Sequence, residues 1–439
     1  MTPIAVGGLG IAVLLAALFV RVPIGVALGV VSIGGIWILR GPTAAFGSLG
    51  TLPYEFSASW VLSALPMFLL MGAFAYHLKL TDGLYSAARV WFGNLPGGLA
   101  IASNFACATF AAASGSSVAT TAAMGRLAIP EMLRIGYDKG LATGVVAAAG
   151  TLGALIPPSV AFVIYGWYAE VAVDKLLISG ILPGLLTAGV YAAMIVIRVR
   201  ADPTLAPAPR LQEPLREKIR LLADVWPLPV LIASVVGSIY SGAATATEAA
   251  AVGALAALLV GLMRARQGVS ATASAVRAAI AESLRTTSSI FFIIIGAVLF
   301  TRFLALTGVP GFLAATFNAA ELGPLALVLV LVAVYVLLGM FLDPIGVMML
   351  TLPILIPVCK QTGMDLIWIG VLVVKLVEVG MLTPPVGLHC FVVKSIVGDQ
   401  VPLNTIFRGV SWFLMAEVLI LALLVAFPAI SLTLPRMME

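Results

Sequence analysis

The sequence predicts an all-α polytopic membrane protein built as an inverted repeat, with two re-entrant hairpins and two Pro-Pro-broken helices. Three observations carry that prediction. The composition suits a chain surrounded by lipid: 62% of the 439 residues are hydrophobic, only 10% are charged, and the mean hydropathy is +1.14. No water-soluble fold hides that much apolar surface, and apolar runs of about 17–25 residues, each able to cross a hydrocarbon core about 30 Å thick, recur from end to end. The second observation is a phrase written twice. Gly153-Ala-Leu-Ile-Pro157-Pro158 returns as Gly380-Met-Leu-Thr-Pro384-Pro385, and the same spacing of 227 residues relates Pro130 to Pro357, Gly136 to Gly363 and Asp138 to Asp365. The third is the uneven distribution of lysine and arginine among the loops, which sets the orientation of the spans.

Candidate spans cover 4–20, 23–39, 60–78, 140–169, 176–197, 226–242, 246–263, 286–306, 366–394 and 404–430. The first run, Ile4 to Val20, lacks a basic start and a small-residue cleavage site, so it is expected to be a retained span and not a signal peptide. Cys107, Cys359 and Cys390 lie far apart in apolar sequence, without a CxxC pair or a histidine cluster, and read as small packing residues. Basic residues gather in two loops: Arg198, Arg200, Arg210, Arg216, Lys218 and Arg220 in one, Arg264, Arg266, Arg277 and Arg285 in the other. The positive-inside rule puts both in the cytoplasm. Working outward, Arg21, Lys79, Arg89, Arg126, Arg134, Lys139, Lys394 and Arg408 fall inside, whereas Arg40, Lys175, Arg302, Lys360, Arg436 and both termini fall outside.

That assignment holds only if two further apolar segments, 90–125 and 323–358, each enter and leave on one side. They therefore read as re-entrant hairpins, with tips at Ala113-Ser114-Gly115-Ser116-Ser117 and Leu342-Asp343-Pro344-Ile345-Gly346. Five crossings separate them, so the second copy is inverted relative to the first. Between the halves, 200–225 is a basic cytoplasmic linker that includes the stiff Pro203-to-Pro209 stretch and an amphipathic turn at Leu215, Ile219 and Leu222. The stretch 269–285 places Val269, Ala273, Val276, Ile280 and Leu284 on one face and is expected to lie as a helix on the inner membrane surface.

Inside hydrocarbon an unsatisfied backbone group costs several kcal/mol. Pro157 and Pro158 remove two amide donors, bias Ile156 away from the helical region and free carbonyls near Gly153, Ala154 and Leu155. Freed carbonyls attract a cation, and the first tip adds the hydroxyls of Ser114, Ser116 and Ser117 beside the small Gly115. Hard oxygen ligands without a carboxylate cage suit a monovalent ion, and Na⁺ is the usual occupant of half-helix sites. A second ion site draws on Gly380, Met381, Leu382 and Thr383, with Asp343 or the backbone near Gly346. The alternative is that each Pro-Pro is only a kink. Helix starts near Pro158 and Pro385 aim positive dipole ends at the gap between the copies, so an anionic substrate is expected at Gly115, Pro158, Ser159 and Pro385.

Ionisable residues at membrane depth are functional hypotheses. Lys375 and Glu378, three apart, are expected to pair on one helix face, with a proton or substrate role as the alternative. Asp343 reads as an ion ligand or a residue gating the tip. His389 and His77 read as satisfied core or interface histidines, and Glu248 as a partner of a helix N-terminus.

Ala113-Ser-Gly-Ser-Ser-Val-Ala119, Gly153-Ala-Leu-Ile-Pro-Pro-Ser159, Tyr240-Ser-Gly-Ala-Ala-Thr-Ala-Thr-Glu248, Phe341-Leu-Asp-Pro344 and Gly380-Met-Leu-Thr-Pro-Pro-Val-Gly387 occur in this order. Together they resemble the signatures of the large membrane subunit of tripartite ATP-independent periplasmic (TRAP) transporters, over essentially the whole chain. The resemblance implies an elevator-type secondary transporter in the bacterial inner membrane. Scaffold spans would occupy 1–78 and 226–306, and the two halves of a transport domain 79–199 and 307–430. It further implies Na⁺ as coupling ion, two ions being expected, and a periplasmic binding protein that delivers an organic acid anion. It also implies a four-span small membrane subunit, expected here as a separate chain because only about 60 residues precede the third span. For the first ion site it carries over Ser114, Ser116, Ser117, Gly153, Ile156 and Pro157; for the second, Asp343, Gly380, Leu382 and Thr383, beside Gly346 from the residue reading. Ser116 aligns with Asp343, so the two sites are expected to differ.

Other functions lack their residues. A membrane-embedded enzyme would need acid and base groups converging on a nucleophile or metal, and no such constellation is visible. No P-loop is present for ATP, and no nucleic-acid partner is expected. A passive channel remains the third possibility.

Overall fold

The computed structural model describes residues 1–207, 214–264, 268–319 and 323–438; Pro209, Arg210 and Arg266, named above, lie outside the described residues. All regular secondary structure among the described residues is helical. The first half runs α1 Pro3–Phe19, α2 Ile24–Arg40, α3 Pro42–Ser57, α4 Ala64–His77, α5 Leu84–Phe92, α6 Gly98–Ser114, α7 Ser117–Ile135, α8 Lys139–Gly150, α9 Val160–Ala169, α10 Val173–Ser179 and α11 Ile181–Ala201. After α12 Leu215–Ala223 come α13 Pro227–Ile232, α14 Ser238–Tyr240, α15 Ala246–Arg264, α16 Val269–Thr307, α17 Val309–Ala319, α18 Pro324–Gly339, α19 Pro344–Gln361, α20 Leu366–Gly380, α21 Leu388–Val397, α22 Leu403–Ala426 and α23 Ala429–Arg436.

The sequence repeat is also a repeat of helix starts. α7 and α19 begin at Ser117 and Pro344, and α8 and α20 at Lys139 and Leu366, each pair separated by the spacing of the duplicated phrase. The same chemistry starts each pair, a side-chain oxygen that accepts from an otherwise unsatisfied amide of the first turn. Ser116 caps α7 through Ala119 N at 3.4 Å, and Asp343 caps α19 through Gly346 N at 3.3 Å. Asp138 and Asp365 cap α8 and α20, accepting from Leu141 N and Ile367 N at 2.8 Å each.

Among the described residues six helices are long and apolar enough to cross a membrane, or seven if the pair 215–223 and 227–240, bent by 43°, forms one span. The elements at the breaks are shorter. α9 has 10 residues and is therefore about 15 Å long, half the hydrocarbon thickness, so it completes a crossing only in series with α8. Burial separates core from periphery. Gly140–Gly150 of α8 and Trp368–Gly380 of α20 are buried without interruption, whereas Leu255 and Leu259 of α15, Leu325 and Leu329 of α18, and Met415 and Val418 of α22 are exposed apolar side chains. The two broken helices thus form the centre, and the outer faces have the apolar character that lipid requires.

Three elements differ from the sequence reading. Helix α3 was not expected: Gly47, Gly50 and Pro53 interrupt its apolar run. The stretch 269–285 is not a separate surface helix. It is the first part of α16, a continuous helix of 39 residues and about 58 Å, because Thr286-Thr-Ser-Ser289 offers neither glycine nor proline to break it. The first hairpin is α6–α7, beginning at Gly98 and not at residue 90, since Gly93-Asn-Leu-Pro96-Gly97 divides it from α5. The segment expected as the second hairpin, 323–358, is α18 and α19, and Pro344–Gln361 of α19 is by itself among the six helices long and apolar enough to cross a membrane.

Candidate ion and substrate site at the helix breaks

The first hairpin turns at Gly115, whose φ of +63° favours glycine, between the end of α6 and the cap of α7. Its tip lies directly on the first break. A Cβ added at Gly153 would sit 2.7 Å from both the carbonyl carbon and oxygen of Ser116, and one added at Gly115 would sit 2.7 Å from Pro158 O. Only backbone fits between them. The structure therefore brings together Ser114, Gly115, Ser116, Ser117, Gly153 and Pro158. Ser114 Oγ lies 2.8 Å from Thr120 Oγ1, and the Ser116 carbonyl accepts from Thr120 Oγ1 at 2.8 Å. Ser114 and Ser116 also line a cavity of about 230 Å³ between the hairpin, α4 and α16, whose wall includes Arg126 and Glu282.

The remaining residues of the first break have other neighbours. Ile156 N donates to Leu152 O at 2.9 Å, and the Ile156 side chain packs toward Gly184 on α11. Pro157 is buried and joined to Pro158 by a cis peptide. Ser159 is buried; its hydroxyl donates to Ala154 O at 2.5 Å and accepts from Phe162 N at 3.3 Å as the cap of α9. The Ala154 carbonyl, expected to be free, is thus satisfied inside the break.

The second break is arranged differently. Its close approach is to the last turn of α18 and not to the 342–346 tip: a Cβ at Gly380 would sit 2.7 Å from Gly339 Cα. Thr383 Oγ1 donates to Val379 O at 2.7 Å, Thr383 N to Gly380 O at 2.9 Å, and His389 N to Met381 O at 3.2 Å; Leu382 O accepts from Cys390 Sγ at 3.7 Å. The carbonyls of Gly380, Met381 and Leu382, expected to be available to an ion, thus carry donors. Asp343 spends one oxygen on its cap, and Gly346 abuts Ile24 of α2. Among the described residues no hydrogen bond joins Asp343 to Thr383. Pro384 and Pro385 are exposed, whereas Pro157 and Pro158 are buried.

Lys375 and Glu378 do not pair with each other. Each turns to a different neighbouring helix. Lys375 Nζ donates to Glu417 Oε1 at 2.7 Å and Thr187 Oγ1 at 3.1 Å, and the Tyr191 hydroxyl donates to the same Glu417 oxygen. Glu378 accepts from Ser117 Oγ at 2.8 Å and faces His389 Nε2 at 3.2 Å, while His389 Nδ1 meets Thr121 Oγ1 at 2.7 Å. All of these side chains are buried. A polar chain therefore runs from the first hairpin into the second broken helix, so the two copies meet through hydrogen bonds between polar side chains as well as through packing.

The family description "Tripartite ATP-independent periplasmic transporter, DctM component" matches residues 11–430. The chain belongs to this family. Its relatives are named as transporter permeases, and a DctM component is a permease and not an enzyme. The C4-dicarboxylate large permease DctM of Pseudomonas aeruginosa is 37% identical over 405 residues, 92% of each chain. The sialic acid large permease SiaM of Vibrio cholerae is 31% identical over 429 residues, covering 96% of this chain and 97% of that one. The isethionate permease DctMQ of Oleidesulfovibrio alaskensis is 30% identical over 398 residues, 88% of this chain and 59% of the relative. Among solved structures the fold is similar to the Alcanivorax borkumensis YdaH transporter, with a TM-score of 0.64, 16% identity and 89% of each chain covered.

In this DctM component one signature serves a helix start. Thr245 N donates to Glu248 Oε2 at 2.8 Å while Glu248 N donates to Thr245 Oγ1 at 3.3 Å, a reciprocal cap that opens α15. Thr121, Thr187, Tyr191 and Glu417 escaped the sequence reading. No local spacing ties them to α20; only tertiary packing brings them to Lys375 and Glu378.

Proposed function

We propose that this DctM component is the large membrane subunit of a sodium-coupled secondary transporter of the bacterial inner membrane. A periplasmic binding protein delivers an organic acid anion, and a separate four-span small subunit completes the membrane part. The acids named for the relatives, C4-dicarboxylates, sialic acid and isethionate, support this substrate class. The observation that carries the reading is the seating of the serine-rich tip on the first break. Hydroxyl and carbonyl oxygens of Ser114, Ser116, Ser117, Gly153, Ile156 and Pro157 form a donor set suited to one Na⁺. A second would draw on Asp343, Gly346, Gly380, Leu382 and Thr383, whose oxygens here hold hydrogen bonds that an ion would have to share or displace. Gly115, Pro158, Ser159 and Pro385 border the anion between them.

The two hairpins and their broken helices would move as an elevator against the other spans, with the two halves in inverted topology, basic loops in the cytoplasm and both termini in the periplasm. The unequal exposure of the breaks, with Pro157-Pro158 buried and Pro384-Pro385 exposed, supports a difference in access between the two halves. Two sodium ions accompanying a monoanion carry one net positive charge. At about 2.3 kcal/mol per charge per 100 mV and about 1.4 kcal/mol per decade, the membrane potential alone sustains a gradient of about fiftyfold. Proteoliposomes holding both membrane subunits and supplied with the binding protein test the reading. Uptake should follow an inward sodium gradient; uptake indifferent to that gradient would overturn the coupling.

A further inference from the structure

A cleft of about 490 Å³ lies between the start of α8, the end of α11 and the start of α22, remote from both breaks. We propose that it binds the phosphate of an anionic phospholipid headgroup. Two arginines line it, Arg198 from α11 and Arg408 from α22, together with Asn404, Thr405 and Trp412. Arg198 Nη1 is buried and makes no hydrogen bond among the described residues. A buried, unpaired N–H on a charged group is costly, so this position calls for an acceptor.

The nearby carboxylates do not supply one. Asp138, which also lines the cleft, accepts from Leu141 N at 2.8 Å to start α8, and Asp202 accepts from Thr204 N at 3.0 Å and Thr204 Oγ1 at 2.5 Å. The guanidinium of Arg198 is instead held 4.4 Å from the Trp412 ring, which fixes its plane while leaving its edge for an incoming oxygen. Arg408 is exposed and has no ion-pair partner among the described residues, and the side chains of Asn404 and Thr405 make no hydrogen bond there. A planar guanidinium, a second arginine and two neutral polar groups match a phosphodiester, which accepts charge-assisted bonds through two oxygens.

The surroundings favour a lipid over a free anion. Trp412, Met415 and Leu419 follow one another on one exposed face of α22, and exposed Ile197 adjoins Arg198 on α11. Acyl chains anchored at the cleft would lie along that face. The cleft sits at the helix ends carrying Arg200 and Arg408, the side the proposed topology places in the cytoplasm, where basic pockets between membrane helices bind anionic headgroups.

The purified, delipidated complex of both membrane subunits provides the test. Phosphatidylglycerol, phosphatidylcholine and inorganic phosphate are added separately, and thermal unfolding and retained lipid by native mass spectrometry are measured. Phosphatidylglycerol should raise the midpoint and be retained, and R198Q should weaken that binding by about tenfold, the loss of one charge-assisted bond. R408Q alters only an exposed side chain and should weaken it in the same direction, which decides the matter if R198Q fails to fold. An equal shift with inorganic phosphate or phosphatidylcholine overturns the lipid assignment. So does no effect on the wild type, or phosphatidylglycerol binding unchanged in the folded variants.

Discussion

Ser116 shows how much one side chain can be asked to do. It caps α7, its carbonyl holds Thr120, and its backbone lies against Gly153. Ser116→Ala should cost about 1 kcal/mol through the lost cap alone, and this loss will appear with or without sodium. The proposed ligand role predicts a second loss: the sodium concentration for half-maximal uptake should rise by about tenfold, equivalent to about 1.4 kcal/mol. Ser116→Asn, which restores the cap, separates the two effects if unfolding and sodium titration are measured on the same preparation. Lys375 poses a different question. Removing it by Lys375→Met leaves Glu417 buried opposite Tyr191 with no cation, a change worth about 3–5 kcal/mol. Lys375→Met combined with Glu417→Leu should recover much of that loss in thermal unfolding of the purified complex. If the double variant is no more stable than the single one, the pair is not what holds α20 to α22.

At the scale of elements the decisive contact is a hairpin tip resting on a helix break without a side chain between them. Gly153→Ala places a methyl carbon 2.7 Å from backbone atoms of Ser116. Neither backbone can rotate away, so the tip must lift; the expected cost is about 1–3 kcal/mol, with loss of sodium-dependent uptake. Gly189→Ala in α11 is the control, since an added Cβ there meets nothing within 4 Å, and it should stabilise by up to about 1 kcal/mol. Much of this layer was legible in the sequence. The Gly…Pro-Pro phrases gave the breaks because proline cannot continue a helix, and the tips stood out as small or turn residues between apolar runs. The ends of elements were less legible where chemistry was locally silent: α16 runs on through Thr286-Thr-Ser-Ser289 because polar residues do not stop a helix as glycine or proline does. The partners of Lys375 and Glu378 were illegible for a stronger reason. Their spacing of three is equally compatible with a local pair, and only the packing of α11, α22 and α7 around α20 decides against it.

For the whole molecule, sodium should act as a ligand of the folded state. A concentration 100 times the dissociation constant stabilises a single site by about 2.7 kcal/mol, so replacing sodium by potassium should lower the unfolding midpoint of the purified complex. Equal midpoints in the two salts would remove the sodium sites. The all-helical, membrane-spanning character was readable because hydropathy is a global quantity, whereas the unequal burial of the two breaks was not, since the phrases themselves are nearly alike. That inequality bears on the order of events. Pro157-Pro158 is buried beneath a hairpin tip and Pro384-Pro385 is exposed, so if each break holds an ion as proposed, the ion at the second is expected to exchange faster than the ion at the first. After a rapid dilution of sodium, efflux should show two phases of equal amplitude, and Gly153→Ala, by lifting the tip, should merge the slow one into the fast.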